Sequence, residues 1–380
     1  MRRVLQLILI VASACGMLPA QEDRKPQFHG YATQSFLYNG GVNNYLGMDT
    51  SSGSAAWSEA AFNVNNQVTS WLRVGAQFHM MRLGQFGGTN PTLDWALADV
   101  RIKRWFSVRA GKAKIRWGLY NDTQDADPGY LWALLPEPVY AIDWRATNLA
   151  QKGVELYGRV RLGERGGEVA YSAYYGYYSY APHDGYMETY TEDGRSFCKQ
   201  PKGITPGFDL RWATPVKGLT VGGSLMLYNA KGTLYNNASY RQPLAYWPTY
   251  YARYEKNRFF VAAQYVSLLQ HDNYTLDGAV EAETTTSRSW YAMGGYRLTD
   301  KLQVGVYRTN NLITNADRTD PWNYFKDWTV SSRFDFDSHW YANLKGHFID
   351  GYGLGFYGSN NPGDLSPRTR LLVAKLGFTF

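Results

Sequence analysis

From residue 28 to its last residue the chain repeats one pattern. "LRVGAQFHM" sets Leu72, Val74, Ala76 and Phe78 on one side, and Arg73, Gln77 and His79 on the other. "VELYGRVRL" opposes Val154, Leu156, Val160 and Leu162 to Glu155, Arg159 and Arg161. "WYANLKGHF" opposes Trp340, Ala342, Leu344 and Phe348 to Asn343, Lys345 and His347. Period two belongs to strands with one apolar face; helical spacing is absent, as are short repeats and composition shifts. The pattern predicts sixteen strands, near 28–38, 54–68, 71–83, 92–103, 106–117, 150–162, 167–178, 205–213, 219–228, 246–254, 258–267, 284–298, 302–309, 324–335, 340–350 and 368–380.

The connections between them alternate in length. Seven are short, including Thr69-Ser70, Arg104-Trp105, "GERGG", "EKN" and "TDK", and eight are long and rich in Gly, Asn, Asp and Pro. A soluble sandwich has no reason for that rhythm. A transmembrane antiparallel β-barrel does, because its turns are short on the periplasmic side and its loops long outside. The final strand "RTRLLVAKLGFTF" runs straight to Phe380, where a soluble domain would fray. It is expected to pair with the first strand and close the barrel, removing the open edges. Trp71, Trp105, Phe106, Trp212, Phe259, Trp340 and Phe380 fall near the short-turn ends, as an interfacial girdle would.

Composition agrees. The chain has 31 Tyr, 13 Trp and 38 Gly, and it is 16% aromatic. Its mean hydropathy is −0.42, and beyond the first residues nothing approaches the roughly 20 apolar residues of a membrane helix. "MRRVLQLILIVASACGMLPAQ" has a charged start, an apolar stretch and Leu18-Pro19-Ala20, which predicts a signal peptide over 1–20. Residues 21–380 are then one barrel domain. Cys15 leaves with the signal and Cys198 stands alone, so no intrachain disulfide forms. The net charge is +7, or +5 once Arg2 and Arg3 are gone, too mild to suggest nucleic acid.

The longest connection, residues 119–150, carries Asp122, Asp125, Asp127, Glu137 and Asp143, with Arg145 as its only base. It also carries Tyr130, Leu131, Trp132, Leu134 and Leu135, which are costly to leave in water. This third long loop is expected to fold into the lumen. "SVRAGKAKIRWG" beside it holds Arg109, Lys112, Lys114 and Arg116. A bulge near Gly111 would bring all four to one face, and a charge facing lipid costs about 2–4 kcal/mol. Arg73, Arg101, Lys103, Arg159 and Arg161 are placed on the same pore-lining wall. Basic wall and acidic loop would then face each other across a constriction, either selecting ions or tying the loop to the wall.

The strand count, the long loop after "GKAKIRWGLYND" and the terminal Phe380 together resemble the Gram-negative outer-membrane porin superfamily. The resemblance covers the mature chain and rests on architecture. It implies a homotrimeric channel in the bacterial outer membrane, surrounded by lipid and lipopolysaccharide, passing small hydrophilic solutes without a cofactor. Strand five is similar to that of anion- or phosphate-selective porins; the acidic loop departs from a purely cationic path. A channel specific for phosphate, dicarboxylates or sugars is an alternative, and so is a barrel enzyme of the phospholipase type. The enzyme would need a nucleophile, base and orienting partner, yet none of the six histidines sits in a G-x-S-x-G context. No Cys/His cluster has metal spacing.

Overall fold

The computed structural model describes residues 25–124 and 129–380; the expected signal peptide lies outside them. Sixteen strands form one closed antiparallel barrel in chain order. They are β1 (Gln27–Tyr38), β2 (Ser54–Gln67), β3 (Leu72–Leu83), β4 (Phe86–Lys103), β5 (Phe106–Lys114), β6 (Ala150–Arg161), β7 (Glu168–Ser179), β8 (Phe197–Ala213), β9 (Leu219–Leu234), β10 (Ser239–Lys256), β11 (Phe259–Leu276), β12 (Ala279–Arg297), β13 (Leu302–Ile313), β14 (Tyr324–Asp335), β15 (Trp340–Asp350) and β16 (Arg368–Thr379).

The closing strand does what its pattern predicts. β1 and β16 pair from Tyr31↔Thr379 to Tyr38↔Leu372. Beyond that ladder, Gly30 and Phe380 exchange two backbone hydrogen bonds of 3.1 Å. A Cβ on residue 30 would sit 2.6 Å from the Phe380 ring, so only glycine lets the terminal aromatic lie down there.

The faces are inverted relative to a soluble protein. On β15, Tyr341, Asn343, Lys345, His347 and Ile349 are buried, while Leu344 and Phe348 are each 52% exposed. Apolar residues outside and polar residues inside suit a wall between lipid and a polar interior. Trp71, Trp105, Trp212, Phe259, Trp340 and Phe380 are all exposed on the short-turn side, where the girdle was expected. Phe106 is half-buried.

Three of the eight connections expected to be long are instead strand. β3–β4, β9–β10 and β11–β12 extend past the apolar belt and turn over only 84–85, 235–238 and 277–278. Asp277 and Gly278 have φ of +50° and +83°. That is the backbone of a two-residue hairpin turn, for which Asp-Gly is a strong signal. The long connections that remain are 39–53, 115–149, 180–196, 314–323 and 351–367. Short helices punctuate two of them: α1 (Glu137–Tyr140) and α2 (Arg145–Asn148), then α3 (Gly185–Glu192).

Candidate functional site

Four neighbouring strands build a charged patch on the inner face. β3 contributes Arg73, β4 Asp99, β5 Arg109 and β6 Glu155, and the register sets Asp99 opposite both arginines and Arg109 opposite Glu155. Arg73 reaches Asp99 at 3.0 Å. Arg109 bridges Glu155 at 2.6 Å and Asp99 at 3.4 Å, with its guanidinium 4.7 Å from the Tyr157 ring centre. Tyr157 donates its hydroxyl to Asp99, and Ser172 donates to Glu155. Past the end of β5, Arg116 lies 3.4 Å from Glu155 and 3.6 Å from Asp122. Asp122 is also 3.5 Å from Arg211 of β8.

These pairs are not symmetric toward the interior. The Asp99 and Glu155 side chains are only 1–2% exposed, whereas Arg73 is 34% and Arg116 is 25% exposed. Asp99 and Glu155 lie recessed behind Arg73 and Arg116. Arg73 and Arg116 line a cavity of about 490 Å³, together with Lys114, Arg109, Trp95 and, among the described residues, the carboxylate Asp122.

The connection 115–149 makes contacts around most of the circumference. Leu119 donates its N–H to Gln264 of β11, and Gly118 donates to Ser224 of β9. Ser331 of β14 and Asn343 of β15 both donate to the Leu131 carbonyl at 2.9 Å. Lys345 donates to the Leu134 carbonyl and to Tyr307, and Lys375 donates to the Ala133 carbonyl at 3.1 Å. Ile115, Trp117, Tyr120, Leu131, Trp132 and Tyr140 join one apolar cluster with Met226, Trp247, Tyr291 and Tyr307 of the wall. Gly295 and Gly305 make room for it: a Cβ there would meet Leu131 at 3.0 and 2.6 Å.

No protein-family model matches this sequence, and no curated protein does. Solved structures do match across nearly the whole chain. The outer membrane channel DcaP of Acinetobacter baumannii aligns over 96% of this chain and 99% of its own, at 9% identity and a TM-score of 0.59. OmpT of Vibrio cholerae, an outer membrane protein in its trimer form, aligns over 94% and 99%, at 10% identity and 0.59. The anion-selective porin from Comamonas acidovorans aligns over 93% and 98%, at 9% identity and 0.55. The fold is the sixteen-strand barrel of outer-membrane porins. At these identities the likeness is one of backbone, and the site must be read from this chain's own side chains.

That reading departs from the sequence in several places. The bulge expected near Gly111 is absent, since β5 pairs without interruption with β4 and with β6 through that residue. The register shift lies instead in β4, where Gln77 opposes Trp95 and Phe78 opposes Leu93, so that Asp94 and Trp95 are both buried. Lys112 consequently stands opposite Lys152, on the outer face with the exposed Val154, and its amino group donates to the Leu93 carbonyl. Lys114, at the strand end, does reach the cavity. Arg101, opposite the inward Ser107, and Arg159 and Arg161, in phase with Glu155, lie on the inner face toward the short turns. Lys103 lies 5.6 Å from the Trp105 ring centre at the rim.

The expected acids are divided. Asp125 and Asp127 lie outside the described residues. Asp122 lies between Arg116, of the expected basic set, and Arg211, which was not in it. Glu137 and Asp143 do not face the basic wall: they are 4% and 3% exposed. Asp143 accepts from Tyr357 of the 351–367 loop, and burial pushes its carboxyl up to about 6. Burial, reinforced by the nearby Asp143 charge, lifts Glu137 well above the usual carboxylate range. Asp184, which caps α3 and accepts from Thr147 of α2, is pushed by burial up to about 7. Arg145, the one base of residues 119–150, meets acid on the wall. Arg145 holds Asp94 through two bonds of 2.8 and 3.2 Å, and it lies 3.3 Å from His79, which bonds Glu59 at 2.8 Å.

Lys345 and Lys375 were not singled out by sequence reasoning. Alternation alone placed Lys345 on the polar side of its strand; nothing local announced that its target would be a loop carbonyl. A second cavity of about 290 Å³ is lined by Trp117, Trp144, Tyr186, Tyr190, Asp193 and Glu283, among others.

Proposed function

We propose that this protein is a porin of the bacterial outer membrane, a water-filled channel for passive diffusion of small hydrophilic solutes with a preference for anions. In this reading the connection 115–149 folds into the lumen and narrows it, residues 21–380 form the single mature domain, and the mature barrel assembles as a homotrimer in a lipid and lipopolysaccharide bilayer. The supports for the inserted loop are its hydrogen bonds to inward side chains of β9, β11, β14, β15 and β16. The trimer rests on likeness to an outer membrane protein described in that form.

One observation carries the anion preference: Arg73, Arg109, Lys114 and Arg116 line the cavity under the loop with Asp122, while Asp99 and Glu155 stand back behind them. A permeating anion meets Arg73, Lys114 and Arg116 directly. Two of their countercharges, Asp99 and Glu155, act from behind, in a narrow space where fields are stronger than on an open surface. The test is single-channel recording of the purified barrel in a salt gradient. The expected result is stepwise conductance with a reversal potential on the anion side. A barrel that inserts and never conducts, or one that prefers cations, refutes the reading.

The barrel-hydrolase alternative finds little footing among the described histidines. His347 binds Asp327 at 2.7 Å and Thr329 at 3.1 Å through the same ring nitrogen, Nδ1. A relay needs one nitrogen for the nucleophile and the other for the orienting acid. The pair is 1–2% exposed and is better explained as a polar strut of the wall.

A further inference from the structure

Three bases stand side by side on the outside of the barrel. On β8 the outward residues run Trp212, Leu210, Phe208, Pro206 and Ile204, and the next is Lys202. Its cross-strand neighbour on β9 is Lys231, and the neighbour of Lys231 on β10 is Arg241. All three are exposed. Among the described residues none of them has a carboxylate within ion-pair distance. Like charges directly opposed across strands repel. A ladder of three such groups is therefore a strained surface until an anion covers it.

Its height identifies the anion. Trp212 lies at the short-turn end, and Lys202 is ten residues further along the strand. At about 3.3 Å per residue and a tilt near 40°, that climb is about 25 Å, the height of a barrel's apolar belt. The bases begin where the apolar outer face of β8 and β9 stops, with exposed Tyr177 and Tyr246 flanking them. This is the level of the lipid headgroups on the long-loop side.

We propose that Lys202, Lys231 and Arg241 form a docking site for the phosphate groups of a phosphorylated glycolipid of the outer leaflet. Its acyl chains lie along the apolar residues below. Three adjacent bases match clustered phosphates, and charge-assisted bonds to phosphate are of the strong kind. The proposal rests on the outer-membrane placement, though not on conduction.

The test uses the full-length folded barrel in detergent micelles, with native mass spectrometry counting bound lipid. The probes are bisphosphorylated lipid A, the same lipid without phosphates, and phosphatidylglycerol. The wild type is expected to bind bisphosphorylated lipid A at least about tenfold more tightly than either other probe, and less tightly as salt is raised. The variant K202Q/K231Q/R241Q should lose that preference, while R165Q/K217Q, altered in turns at the opposite end, should keep it. Heat-modifiable migration reports folding. If the triple variant does not fold, Lys231→Gln alone should still weaken binding at least about threefold, because it removes the middle of the ladder. Undiminished binding by the folded variants, or equal binding of the phosphate-free lipid or of phosphatidylglycerol, overturns the assignment. A barrel that binds lipid A in this way and does not conduct refutes the channel reading and leaves this one standing.

Discussion

Asp184 is the joint between two loops, and its protonation should control how firmly they hold. It caps α3 through the Met187 N–H and accepts from Thr147 of α2. Burial keeps its carboxyl protonated up to about pH 7, whereas an exposed aspartate ionises near 4. Between those values the docked loop binds more protons than a released one, so docking weakens as pH rises through the window. From pH 5 to pH 8 two units of that window are crossed, worth about 2.7 kcal/mol or roughly a hundredfold. Asp143, raised to about 6, adds one unit over the same range, about tenfold. Hydrogen exchange at Met187, normalised for the intrinsic rate at each pH, reads this directly. Protection in the wild type should fall steeply between pH 5 and 8. In Asp184→Asn, which keeps an acceptor for the cap and loses the titration, the fall should shrink by roughly a hundredfold, the share of Asp184. Flat protection in the wild type, or an equally steep fall in the variant, would refute the reasoning.

Other outcomes follow from the same geometry. Replacing Lys114 and Arg116 by Glu should move the reversal potential toward cation preference at low salt, while Lys112→Glu should leave it unchanged because that side chain is outside; an equal effect of Lys112→Glu would reverse its placement. Lys345→Met leaves the Leu134 carbonyl without its side-chain N–H donor, a loss of about 1–3 kcal/mol. The 115–149 segment should loosen, seen as larger and noisier single-channel conductance. Deleting Phe380 removes the backbone pair with Gly30 and should lower the amount of heat-modifiable barrel in the outer membrane; unchanged levels would strip the terminal aromatic of that role.

The strands were legible because a two-sided wall writes its period on every residue. All sixteen appear near their expected places, and the closing pair of β1 and β16 with them. The hairpins that rise above the belt were not legible, although Asp277-Gly278 is a turn signal, because the inner face there carries buried Leu234, Tyr240 and Tyr274 while charged residues such as Lys231 and Arg241 stand outside, so the apolar-out alternation no longer holds. The phase of β5 was misread for a different reason. A bulge shifts every later residue to the opposite face, and nothing local distinguishes Gly111 from Asp94-Trp95 as its site. The burial of Glu137 and Asp143 was hidden because what covers them comes from elsewhere; Tyr357, the donor to Asp143, lies over two hundred residues away. Charge in a loop sequence says that a carboxylate exists, not which loop will close over it.

The reach of the 115–149 segment has a consequence for assembly. Its partners include Asp94 on β4, Gln264 on β11 and Lys375 on the last strand. None of those arcs can offer a finished surface until the sheet has curled and its ends have met. The segment is made early in the chain and satisfied late. Until closure its apolar residues, among them Leu131, Trp132 and Leu134, have nothing to rest on, and the slowest contacts to form, those of high sequence separation, are the ones that cover them. A barrel stalled just before β16 pairs with β1 would therefore be recognisable by a protease cut between residues 115 and 149, and the disappearance of that cut would time the closing of the wall.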